Sequence, residues 1–67
     1  MMSEIQRVEQ VSEEQLRRVI QTYAPRGLFL ARAGRAWVAV DNSTGYAWTE
    51  EFRSRRKAVR WLRQASC

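Results

Sequence analysis

Leu28-Phe29-Leu30-Ala31-Arg32-Ala33, Ala36-Trp37-Val38-Ala39-Val40-Asp41 and Tyr46-Ala47-Trp48-Thr49-Glu50-Glu51-Phe52 follow one another along the middle of the chain. They are punctuated by Ala33-Gly34-Arg35 and Asn42-Ser43-Thr44-Gly45. Short runs rich in β-branched and aromatic residues, separated by turn formers, read as a three-stranded antiparallel meander. If Asp41 pairs with Tyr46 across the second turn, Trp37, Ala39, Tyr46, Trp48 and Glu50 share one face. Val38, Val40, Ala47 and Thr49 then share the other.

Outward from the meander the period changes to that of a helix. On the N-terminal side, Ser12-Glu13-Glu14-Gln15 reads as a capping box, with two acids at the positive end of the helix that follows. Leu16, Val19, Ile20 and Tyr23 recur at helical spacing, and Pro25 and Gly27 stop the helix. Before it, Ile5, Val8 and Val11 fit either an irregular helical turn or a frayed arm over residues 1–11. On the C-terminal side, Ser54 is the N-cap of a second helix. Ala58, Val59, Trp61, Leu62 and Ala65 occupy one side of that helix, and Arg56, Lys57, Arg60 and Arg63 the other.

The expected fold is therefore α+β: one small domain, helix, three-stranded antiparallel meander, helix (αβββα), over residues 1–67. A chain of 67 residues has room for one core and no second domain. Two apolar stripes and a two-faced sheet leave two arrangements, both helices on one face or one on each. That choice decides whether the Trp37/Trp48 face meets solvent. Core packing beneath the N-terminal helix is the favoured role for Trp37, Tyr46 and Trp48. The alternative is an open aromatic platform for bases or a protein partner.

Charge is unevenly distributed. Residues 52–67 carry Arg53, Arg55, Arg56, Lys57, Arg60 and Arg63 with no acid, and residues 1–51 carry the other six bases and all seven acids. The net charge of +5 thus sits at the C-terminal end, where it would meet an anionic partner or form a solvated face. Arginine's planar fork suits phosphate, and Arg56, Arg60 and Arg63 project together from a helix.

The same composition argues against other classes. Without histidine there is no His-based acid–base catalysis, Ser-His-Asp arrangement or histidine metal site. One cysteine, Cys67, builds neither a thiolate cage nor an intramolecular disulfide. Asp41 begins a turn, and Glu50 and Glu51 face opposite ways on a strand, so no carboxylate pair is assembled. The glycines are isolated turn residues rather than a phosphate-cradling loop. The chain is thus expected not to be an enzyme and to need no cofactor and no metal. No apolar run reaches the roughly 20 residues of a membrane span, and Met1 to Val11 lacks the pattern of a signal peptide. A cytoplasmic location follows as an expectation, and with it no glycosylation of Asn42-Ser43-Thr44.

The residues Arg26-Gly27, Gly34-Arg35-Ala36-Trp37-Val38-Ala39-Val40, Gly45-Tyr46-Ala47-Trp48, Phe52 and Ala58 resemble the three-strand-plus-helix DNA-binding domain of AP2-type transcription factors and of the arm-binding modules of some tyrosine recombinases. The likeness covers residues 26–62. It implies a sheet face entering the major groove, braced by the helix, with Arg32, Arg35 and Trp48 as inherited contacts. Against the family pattern, strand two has no base beyond Arg35, strand three carries Glu50 and Glu51, and the capped helix Ser12 to Tyr23 is extra. The stretch Val40 to Phe52 also looks like small bacterial, phage or mobile-element proteins without assigned activity. Together these readings give a non-catalytic nucleic-acid-binding accessory or regulatory module, with Arg32, Arg35, Trp48, Arg53, Arg56, Lys57, Arg60 and Arg63 as candidate contacts. The competing reading is a protein-interaction or homodimerising module that meets an acidic partner.

Overall fold

The computed structural model describes residues 7–65. Among these described residues six elements follow in order: β1 (Val8–Gln10), α1 (Glu13–Thr22), β2 (Leu28–Ala33), β3 (Ala36–Asp41), β4 (Trp48–Phe52) and α2 (Arg55–Ala65). They build one mixed sheet of order β1-β2-β3-β4. β2 to β4 form the antiparallel meander, whereas β1 lies parallel to β2, with Val8 opposite Leu28 and Gln10 opposite Leu30.

Among the described residues the sheet therefore has four strands, and the expected three-stranded antiparallel αβββα fold is overturned at its N-terminal edge. Residues 8–10, within the stretch read as a helical turn or arm, are a strand; residues 1–6 lie outside the described residues. The cause is non-local. A parallel pair cannot close through a tight turn and needs a crossover, here α1, which returns the chain to the start of β2. Three residues carry too little alternation to read as a strand, and β1 is held by backbone pairing to β2, which Val11 extends by donating to the Leu30 carbonyl at 2.8 Å.

α1 follows from local rules. The Ser12 hydroxyl accepts from the Gln15 amide at 3.1 Å while Gln15 Oε1 accepts from the Ser12 amide at 3.0 Å, completing the capping box. The helix ends at Thr22, because Tyr23 turns left-handed (φ 57°) and donates its amide to the Val19 carbonyl. Tyr23 is thereby carried out of the apolar stripe to which its spacing assigned it and stands exposed.

One helix covers each face. Leu16 and Val19 of α1 pack on Phe29, Ala31 and Val40, with Val11, Ile20 and Val38 at the margin. Ala58 and Leu62 of α2 pack on Leu28, Leu30 and Ala39, with Val8, Trp37, Phe52, Val59 and Trp61 around them. Leu28 to Ala31 are buried in succession because β2, paired on both edges and covered on both faces, has no solvent side.

The second turn is longer than expected. Asp41 pairs with Trp48, not Tyr46, so the loop spans Asn42 to Ala47 and Tyr46 leaves the strand. A two-residue shift keeps the alternation, so Trp37, Ala39, Trp48 and Glu50 still share a face and Val38, Val40 and Thr49 the other. Asn42 holds the loop. It is fully buried, donates Nδ2–H to the Pro25 carbonyl at 2.7 Å and accepts the Ala47 amide on Oδ1 at 3.0 Å. Its backbone amide donates to Gly27 O at 2.8 Å. Ala47, left-handed at φ 51°, is thereby pressed into the core beneath α1.

Candidate functional site

The candidate residues fall into three groups. The first lies on α2, where the Ser54 hydroxyl caps the helix by accepting the Lys57 amide at 3.2 Å. Ala58 and Leu62 anchor the inner side, which forces Arg56, Lys57, Arg60 and Arg63 outward, all exposed. Arg56, Arg60 and Arg63 line one open groove of about 460 Å³ with Val59 and Gln64. Among the described residues, Arg56, Lys57 and Arg60 make no ion pair with an acid; the ion pair seen, Arg17 with Glu13 at 3.7 Å, is on α1.

The second group stands at the end of the sheet where β2 turns into β3. Gly34 takes the positive φ, 65°, that the first position of a tight hairpin requires. The turn sets Arg32 directly opposite Trp37. Arg32 donates Nε–H to the Gly34 carbonyl at 3.2 Å, and its guanidinium carbon sits 5.7 Å from the Trp37 ring centroid. Arg55, the first residue of α2, reaches the same ring at 5.9 Å and donates Nε–H to Gln10 Oε1 on β1 at 3.2 Å. On the opposite face of that end, Arg35 and Arg53 flank a shallow groove of about 420 Å³ with Ala33, Ala36, Glu51 and Phe52.

The third group is aromatic. Trp48 opens β4 and contacts Tyr46 with ring centroids 6.3 Å apart; they are 62% and 70% exposed. The expectation that Trp37, Tyr46 and Trp48 form a core beneath the N-terminal helix is corrected here. Trp37 packs in the α2 cluster, and the other two face solvent. Arg32 and Trp48 share a sheet face, but their β3 partners, Trp37 and Asp41, are four residues apart. That separates them by about 13 Å along the strand. Arg32, Arg35 and Trp48 therefore do not form one cluster, whereas Arg56, Arg60 and Arg63 do.

The buried carboxylate is engaged locally: Asp41 Oδ1 accepts from the Ser43 amide at 3.0 Å and the Ser43 hydroxyl at 2.6 Å. Among the described residues no cluster of three His, Cys, Asp or Glu side chains is placed to hold a metal ion. No described helix is long and apolar enough to cross a membrane.

Sequence reasoning missed Arg55 and the stacking role of Trp37. The short turn Gly34-Arg35 would have paired Arg32 with Trp37, but Arg55 joins them only through the placement of α2. No protein-family model, curated protein or solved structure matches the chain.

Proposed function

We propose that the protein is a non-catalytic nucleic-acid-binding module, accessory or regulatory in role, that grips phosphates with the outer side of α2. The observation that carries this reading is the groove of Arg56, Arg60 and Arg63 on a helix with no acidic residue. Three guanidiniums at one-turn spacing present forks to a polyanion, and the half-buried Val59 between them lowers the local polarity in which they act. Lys57 extends the basic surface on α2, while Arg35 and Arg53 carry their charge beside a groove on the opposite face of the sheet end.

Fluorescence anisotropy with random-sequence duplex and single-stranded DNA, titrated over salt, tests this. Affinity should fall linearly in log–log form, the three α2 contacts contributing about −3 to the slope. Charge reversal of Arg56, Arg60 and Arg63 together should abolish binding while circular dichroism stays unchanged. Absence of binding at low salt, or binding indifferent to that reversal, would defeat the assignment.

A second reading has its own observation. The exposed Tyr46–Trp48 pair beside the outer edge of β4 suits a protein partner or a second copy, since large aromatics anchor interfaces. Under this reading, molecular mass rises with protein concentration and Trp48→Ala reverses the rise. A monomer at every concentration that binds DNA would argue for the first.

A further inference from the structure

We infer that Arg32, Trp37 and Arg55 form a second anion site, a preset two-arginine clamp that takes two neighbouring phosphates of a nucleic-acid backbone; this rests on the nucleic-acid reading above.

Both guanidiniums are oriented before any ligand arrives. Each spends its Nε–H on a fixed acceptor, Gly34 O for Arg32 and Gln10 Oε1 for Arg55, and each lies against the same indole. Locking Nε inward leaves the terminal Nη groups as the donors available to an incoming oxyanion. Stacking on tryptophan leaves the charge intact while reducing the side-chain freedom lost on binding. Neither arginine makes an ion pair with a described acid, and both are exposed. Glu50, on the same sheet face, is not within ion-pair distance of either.

Spacing sets an upper bound on the ligand. Since each guanidinium carbon lies within 6 Å of one ring centroid, the two are at most about 12 Å apart. Successive phosphates of one strand, spaced about 3.4 Å along the helix axis, fall inside that bound. The clamp draws on β1, β2, β3 and α2, so it exists only when the whole sheet is assembled.

The test compares wild type with the double variant Arg32→Gln/Arg55→Gln, using a short random-sequence duplex over salt. In parallel, inorganic pyrophosphate is added while the arginine Nε–H and indole N–H signals are followed by NMR. The duplex salt slope should shrink by about 2 in the double variant. Pyrophosphate should shift the Arg32, Arg55 and Trp37 signals of wild type. An unchanged slope, with binding still abolished by reversal of the α2 arginines, overturns the clamp and leaves the α2 reading standing. Pyrophosphate shifts at these signals without duplex binding defeat the nucleic-acid reading and uphold a two-anion site. The variant Arg32→Lys/Arg55→Lys keeps charge without the planar fork and should bind more weakly than wild type. Lysine variants that match wild type in affinity overturn the clamp geometry even if the glutamine variant fails to fold.

Discussion

The two helices lie on opposite faces of one sheet and treat their own dipoles in opposite ways. α1 begins Ser12-Glu13-Glu14-Gln15, placing acids at its positive end and closing a reciprocal capping box. α2 begins Ser54-Arg55-Arg56-Lys57, with three cations at its positive end and no acid in its first turn. Each misplaced charge costs about 0.3–1 kcal/mol at low salt. The hydroxyl cap is retained on both helices, so what α2 lacks is the acids and the reciprocal half of the box. α1 is composed for stability. α2 keeps an arrangement that stability disfavours, which is what an anion-binding surface would require.

The largest expected effect probes the cores beneath the helices. Leu62 is fully buried among Leu28, Leu30, Ala39 and Ala58 on the α2 side, and Leu16 retains slight exposure under α1. Leu62→Ala should cost about 3–4 kcal/mol and Leu16→Ala about 2–3, because truncation adds a cavity to the lost burial. Urea denaturation followed by circular dichroism measures both. Equal costs would erase the difference in packing between the two sides.

Asn42→Ala should cost about 2–3 kcal/mol, leaving the Pro25 carbonyl and the Ala47 amide without their partner. Because Ala47 belongs to the α1-side core, amide exchange should rise first around Ala47, Val40 and Phe29. Protection lost first around Leu30 and Leu62 would contradict the division into two cores.

The smallest effect sharpens the charge comparison. Lys57→Glu completes on α2 a reciprocal capping box of the kind Ser12 and Gln15 form on α1, and removes a cation from the wrong end of the dipole. It should raise stability by about 0.5–1 kcal/mol while weakening duplex affinity. A thermal melt and one anisotropy titration read both. Higher stability with full affinity would show that Lys57 takes no part in binding.

Much of the candidate site was legible in the chain. Arg56, Arg60 and Arg63 share a helix side by spacing alone, and their exposure follows from the buried Ala58 and Leu62. The sheet-end cluster was legible by half: Arg32 and Trp37 are neighbours across a two-residue turn, but Arg55 is brought to them from the far end of the chain. The core role expected of Tyr46 and Trp48 fails because the Asn42–Ala47 loop, which Asn42 holds through partners up to 17 residues away, takes Tyr46 out of the strand, and Trp48 stands exposed at the start of β4.

The sequence by itself determined the two helices, their caps, the strands of the meander and the basic side of α2, because each depends on residues within a turn or two of one another. Only the tertiary structure decided that β1 joins the sheet in parallel, that each helix takes its own face, and where β4 begins. Those outcomes rest on backbone pairing and burial between distant segments, where a three-residue strand such as Val8–Gln10 carries no pattern of its own and gains its structure from β2 beside it.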